Sequence, residues 1–384
     1  MVRAFHKPVK VKKAEHYIVY KNDQAFSSWP FNHGLWRIDS KELLVGFTRQ
    51  ECTYSDSREF NHGYVGGPGS ELVISRTKDG GRTWTEPTTL AKRPEDEIEL
   101  LYQRKRGEIG DPRTTDFVRI NKDLPKLDLD NSNHLIACGT IPNPGSPTQA
   151  GWGRAWIRTS IDGGCNWSAP RLLPLLNWKW VFGRPAYIQR PDGVILLMLT
   201  VNRADGSEGR PVVYASFDGG LNWTMISTMM PERPDMMVIC PAPVMLPSGK
   251  IITALRCQAS TTAAWTEVFE SHDGGLTWQF LSRVNDLGSP CHLARADDGR
   301  IVAVYGYRIP PFGVRARISE DDGATWGPEL ILRDDGGSWD LGYPRAAALD
   351  GSEILTVYYF NTEDSQKRYG GTRHIAATIF SMPG

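Results

Sequence analysis

The chain has 384 residues, 40% of them hydrophobic and 23% charged, which is the composition of a globular protein and not of a disordered one. Its 44 Lys and Arg cancel its 44 Asp and Glu, so neither a general nucleic-acid binder nor a protein of anionic membrane surfaces is expected. With 38 Gly, 26 Pro and 13 Trp the chain is rich in turns and aromatics, which points to many short strands and few long helices.

The N-terminus is basic but lacks an apolar core of signal-peptide length, and the longest apolar run, around Val194–Leu199, is too short to cross a bilayer. No membrane partner is expected, and the location read from the sequence as given is the cytoplasm. A leader already removed would make the protein secreted or periplasmic. The first predicted strand is His16–Tyr20.

From Thr77 onward one pattern, Ser/Thr-x-Asp-x-Gly-x-x-Trp, occurs five times: Thr77–Trp84, Ser160–Trp167, Ser216–Trp223, Ser271–Trp278 and Ser319–Trp326. The physical reading is a hairpin turn. Asp-Gly and Gly-Gly supply positive φ, the Asp and Ser/Thr side chains hydrogen-bond the turn, and the Trp packs beneath it. Five equivalent copies argue for a structural role of the aspartates. Asn166-Trp-Ser168 and Asn222-Trp-Thr224 match glycosylation sequons but fall inside these turns.

A second repeat alternates with the first. A strand, a turn and an apolar strand recur from Leu35, Asp111, Gly183, Cys240, Ser289 and Gly342. Over the last five copies the interval is about 50 to 60 residues, the length of a four-stranded propeller blade. Six copies predict an all-β, six-bladed β-propeller, a single domain over residues 1–384. The last blade has no Trp turn, so its outer strand is expected from His16–Tyr20, beside His374–Ile379. The charged stretch 93–110 reads as an insertion on the surface. The six cysteines lack metal-ligand spacing and read as buried free thiols, so no metal and no cofactor are expected.

The five turns and six strand repeats together resemble the sialidase superfamily of Asp-box (BNR-repeat) propellers, and the resemblance covers essentially the whole chain. It implies a carbohydrate partner and a site at one mouth of the central channel. It also implies an arginine triad, because a planar guanidinium makes paired charge-assisted hydrogen bonds to a carboxylate. Arg37, in Leu35–Asp39, matches the first arginine; Arg256 matches the second; Arg308 matches the third, with Arg315 as its rival. Tyr343, after Gly342, matches the tyrosine nucleophile. Asp56 or His62 would act as the acid/base. Where the family carries a glutamate, upstream of the second arginine, this chain has Cys240-Pro241.

Other residues that open their blades at the expected mouth are Asp111, Arg113, Arg184, Cys291, His292 and Arg345, each of which could equally serve as a structural hydrogen bond between blades. His292 reads slightly better as a buried, satisfied histidine. Asp340 is expected beside an arginine. The resemblance implies a glycosidase that releases a terminal sialic acid or another carboxylated sugar. Two other readings stand beside it: a polysaccharide lyase on a uronic acid through His62, Tyr343 and Arg37, and a non-catalytic glycan-binding propeller.

Overall fold

The computed structural model describes residues 7–55, 69–92, 124–141, 153–260, 262–365 and 370–383. These form a six-bladed β-propeller. Blade one comprises Ala25–Ser28 with Leu35–Arg37, then Leu43–Glu51, Glu71–Thr77 and Thr88–Lys92. Blade two shows Leu135–Ile141, Arg154–Ser160 and Arg171–Leu172 among the described residues. Blade three comprises Val181–Phe182 with Tyr187–Gln189, then Ile195–Asn202, Glu208–Ser216 and Thr224–Thr228. Blade four runs through Met237–Met245, Ile251–Gln258, Ala264–Ser271 and Gln279–Asn285. Blade five runs through Cys291–Arg295, Ile301–Tyr307, Gly313–Ser319 and Leu330–Arg333, and blade six through Gly342–Ala348, Glu353–Phe360 and His374–Ser381.

The second strands are apolar on both faces because each is sandwiched between neighbouring blades: every residue of Ile195–Asn202 is buried. The ring closes through the N-terminal segment. Ala14–Tyr20 pairs antiparallel with His374–Ser381 at the outside of blade six. Val9–Lys10 then crosses to blade five and pairs parallel with Leu330–Arg333, an edge strand the sequence reading did not contain.

Each Trp turn is a compact hydrogen-bonded unit. In the third, Asp218 Oδ1 accepts from the Ser216 hydroxyl at 2.8 Å and from the Asn222 N–H at 2.9 Å, while Oδ2 accepts from the Asn222 side-chain amide at 2.7 Å. The Trp223 indole N–H donates to the Gly220 carbonyl. The turn also docks one blade on the one before it. A Cβ on Gly164 (φ 79°) would lie 2.7 Å from Leu44 of blade one, and one on Gly81 (φ 97°) 2.6 Å from Leu355 of blade six. Both positions thus require glycine twice over, for backbone conformation and for approach.

The sequon residue Asn166 donates its amide to Asp162 within such a turn. Five of the six free cysteines are buried, but Cys165 is exposed, because it occupies a solvent-facing position of its turn. Among the described residues no helix is long and apolar enough to cross a membrane. The stretch 93–110 lies outside the described residues.

Candidate active site

The site is built where inner strands begin and second strands end. In blade six the register pairs Gly342 with Tyr359, near the end of Glu353–Phe360, so Tyr343 stands at this mouth. Register places Arg256 likewise, opposite Ile239 and beside Cys240. Three bulky or polar residues here take the left-handed backbone conformation: Trp29 (φ 63°), Cys240 (φ 58°) and Tyr343 (φ 49°). Such strain at non-glycine residues costs on the order of 1–3 kcal/mol each and persists where the surroundings impose it. Here it accompanies breaks of register between Ile239 and Ala242 and between Gly342 and Arg345, which swing the side chains toward the channel.

Arg256 and Arg308 converge on Tyr343. Arg256 Nη1 donates to the buried Tyr343 hydroxyl at 3.1 Å. The Arg308 guanidinium lies 5.1 Å from the centre of the Tyr343 ring and 5.8 Å from that of the exposed Trp339. Arg308 Nε donates to the Leu341 carbonyl, and Nη2 to the Tyr359 hydroxyl at 3.2 Å. Tyr359 in turn donates to Asp340 at 2.7 Å. Asp340 is fully buried and also lies 3.5 Å from Arg373 Nε. Burial disfavours the Arg308 cation, but Tyr359, Tyr343 and Asp340 outweigh it and hold its pKa above the ordinary value.

Two further arginines reach the channel wall through the one-turn helix Pro30–His33. Arg184 donates to the Asn32 side chain at 3.2 Å, to Thr200 at 3.3 Å and to the buried Glu208 at 2.8 Å. Arg345 gives Nε and Nη2 to the Phe31 carbonyl at 3.0 and 2.6 Å, and Nη1 to His292 Nε2 at 3.0 Å. The Phe31 ring meets Tyr343 edge to face, 6.4 Å between centres. His292 is held neutral, its pKa well below the ordinary value because of burial and then the Arg345 charge, so it is an acceptor in the wall. His33, hydrogen-bonded to Thr48 at 2.6 Å, is pushed down to about 3 by the same two causes. Burial raises the pKa of Cys240 despite Arg184 and Arg256 nearby, so its thiol stays neutral at neutral pH.

Arg37 is not brought to this cluster. It pairs with Leu43 at the start of its neighbouring strand, whereas the site-bearing mouth of blade one is marked by the pairing of Ser28 with Thr48. It is exposed at the opposite end, near Asp39. The chain turns through Trp29–Gly34 before the inner strand resumes, and the side chains facing the site come from that turn. Arg315, the rival of Arg308, is buried behind Tyr307 in the third strand of blade five, with its guanidinium 4.6 Å from that ring. Asp56, His62, Asp111 and Arg113 lie outside the described residues. Among the described residues, no cluster of three or more His, Cys, Asp or Glu side chains could hold a metal ion.

The BNR repeat-like domain model matches residues 125–355, more than half of the chain. The chain belongs to the BNR repeat-like domain family. Together with the propeller and its structural neighbours, this puts it in the sialidase-like superfamily. This BNR chain is similar over 97% of its length to a Dyadobacter fermentans protein of unknown function, covering 99% of it with 25% identity and a TM-score of 0.75. It is similar to the Hadza microbial sialidase Hz136 with 15% identity and a TM-score of 0.64, over 96% of this chain and 68% of that one. The intramolecular trans-sialidase of Ruminococcus gnavus shares 13% identity, with a TM-score of 0.55 over 95% and 96% of the two chains. The last two similarities show the fold alone. No curated protein matches this BNR chain.

Residues of this BNR site that the sequence reading lacked include Asn32, Glu208, Trp339, Tyr359 and Arg373. Asn32 sits in a turn that the strand repeat does not describe. Glu208 opens a third strand, and opposite Asn202 that position reaches the same mouth, a signal that lies outside the inner-strand repeat. Trp339 and Arg373 belong to no repeat.

Proposed function

We propose that the protein is a sialidase-like exo-glycosidase that releases a terminal sialic acid or another carboxylated sugar from a glycan. The observation that carries this reading is the convergence of Arg256 and Arg308 on the hydroxyl and ring of Tyr343. A carboxylate between the two guanidinium groups would put the adjoining anomeric carbon beside the phenol oxygen. A neutral phenol suits that carbon, since a carboxylate nucleophile would be repelled by the substrate's own charge. Attack forms the Tyr343 Oη–carbon bond as the glycosidic bond breaks; the phenol proton passes to solvent water, and the leaving oxygen takes a proton from Asp56 or His62. Water then adds to the anomeric carbon and returns a proton to that acid/base residue, and the departing Tyr343 oxygen regains its own proton from solvent as the sugar is released. Trp339, exposed above Arg308, offers an apolar face to the ring.

Cys240 supports a second reading, a glycan-binding propeller without turnover, because a neutral thiol occupies the place of the family's glutamate. One experiment separates the two. Terminal acidic glycosides are incubated with the protein, and free sugar and unsaturated products are measured alongside binding. Release of the free acidic sugar, abolished in Tyr343→Phe, supports hydrolysis. Binding without release supports the second reading, and an unsaturated product would establish elimination instead.

A further inference from the structure

The four arginines that the described residues bring to the channel are unequally matched by acids. Arg184 has Glu208 at 2.8 Å, and Arg308 reaches Asp340 through the Tyr359 hydroxyl. Among the described residues Arg256 meets only neutral groups, the Tyr343 hydroxyl and the Cys240 thiol, and its Nε has no partner. Arg345, 4% exposed, touches a backbone carbonyl and a neutral histidine. A carboxylate bound by Arg256 and Arg308 answers one of the two surplus charges. Among the described residues the charge on Arg345 has no acid, and a buried guanidinium without an anion is strongly unfavourable. Consistently, its pKa is pushed down to about 10, by burial and then, against the opposing effects of Tyr187 and Cys240, by the neighbouring Arg184.

The geometry concentrates this surplus. Arg345 and Arg184 are clasped to adjacent residues of one helical turn, the first by the Phe31 carbonyl and the second by the Asn32 side chain. Cys240 lies among the arginines, close enough for its thiol to feel both. Three of the five Arg345 N–H groups are used by these contacts, which leaves two for a ligand.

We infer that the channel holds a second anion, bound by Arg345 and Arg184 next to Cys240, distinct from the carboxylate at Arg256 and Arg308. Its chemistry is that of a small oxyanion or halide. It is either a free inorganic ion or a second acidic group, such as a sulfate ester, on the sugar. The inference deepens the proposed function by adding a second charge to the ligand site. Its test does not depend on turnover.

Thermal unfolding and calorimetric titration are followed with sodium chloride and sodium sulfate, at ionic strength held constant with an anion too large to enter the channel. Saturable binding and a rise in Tm are expected, and both should disappear in Arg345→Met. Cys240→Asp places a carboxylate among the arginines. It is expected to unfold at higher temperature than the parent protein in anion-free buffer and to lose the anion dependence, which keeps the test open should Arg345→Met fail to fold. A free inorganic ion leaves the affinity for a monocarboxylate sugar unchanged or higher. An acidic substituent makes a sulfated, carboxylated sugar bind at least tenfold tighter than its unsulfated parent, and inorganic sulfate competes with it. A Tm indifferent to both anions together with equal affinity for the two sugars overturns the inference. Anion binding that persists in Arg345→Met overturns it as well. Either result would leave the carboxylate grip at Arg256 and Arg308 standing.

Discussion

At the scale of single residues, Tyr343 is placed by three constraints at once: a left-handed backbone, the Arg256 hydrogen bond, and rings from Trp29, Phe31 and Tyr359 packed around it. Such preorganisation lets a side chain meet a ligand without rearranging. Arg256→Ala is expected to weaken an acidic sugar by about 2 kcal/mol or more, since it removes one partner of a desolvated charge pair. A neutral sugar should be barely affected. Arg37→Ala, altering an exposed side chain at the other end of its blade, should leave both affinities unchanged. Calorimetric titration with matched acidic and neutral sugars checks all three, and a loss of acidic-sugar affinity in Arg37→Ala would contradict the site drawn here.

At the scale of elements, the Trp turns carry a measurable pH signature. The Asn166 N–H and side-chain amide, with the Ser160 hydroxyl, hold the Asp162 carboxyl down at about 2. Asp79 and Asp273 also lie at about 2, because their hydrogen bonds outweigh a desolvation that acts the other way. A carboxyl whose folded pKa is depressed contributes stability that is complete above its unfolded value, 3.8 here, and is lost as the pH falls through the folded one. Stability should therefore drop between about pH 4 and pH 2 as several turns protonate together, and urea midpoints measured across this range test it. Asp218→Ala removes four hydrogen bonds, partly replaced by water, and should cost about 1–2 kcal/mol. Turnover and ligand affinity should be kept, because the turn faces away from Tyr343. Gly164→Ala should cost more than an ordinary surface change, since it strains a positive φ and drives a methyl group into Leu44.

At the scale of the whole molecule, the seam between blades five and six differs from the others. Blade six has no Trp turn to dock on blade five. The N-terminal segment spans the gap instead, with Val9–Lys10 on blade five and Ala14–Tyr20 on blade six. Arg300 of blade five adds a hydrogen bond to the Pro383 carbonyl at 2.6 Å. Removing residues 1–13 deletes only the first of these strands and should lower Tm by several degrees with the ring still closed. Removing residues 1–22 strips both strands, bares the edge of His374–Ser381 and should produce aggregation. Scanning calorimetry and light scattering of the two truncations decide this. Equal behaviour of the two would show that the Ala14–Tyr20 pairing is dispensable.

The sequence by itself determined the six blades, because five copies of a turn motif and six of a strand pair are local patterns, written in the residues that form them. It also pointed to Arg256, Arg308 and Tyr343 through the resemblance to the sialidase superfamily, and the ring brings these three side chains together. Arg37 failed for a physical reason: blade one breaks its inner strand at Trp29–Gly34, so the residue aligned by motif stands at the far end of the strand. Asn32 and the unmatched charge of Arg345 were not legible at all, and Glu208 only through its register opposite Asn202. They depend on which blades face one another across the channel, on burial, and on whether a cation finds an acid, and these are decided only when the ring closes.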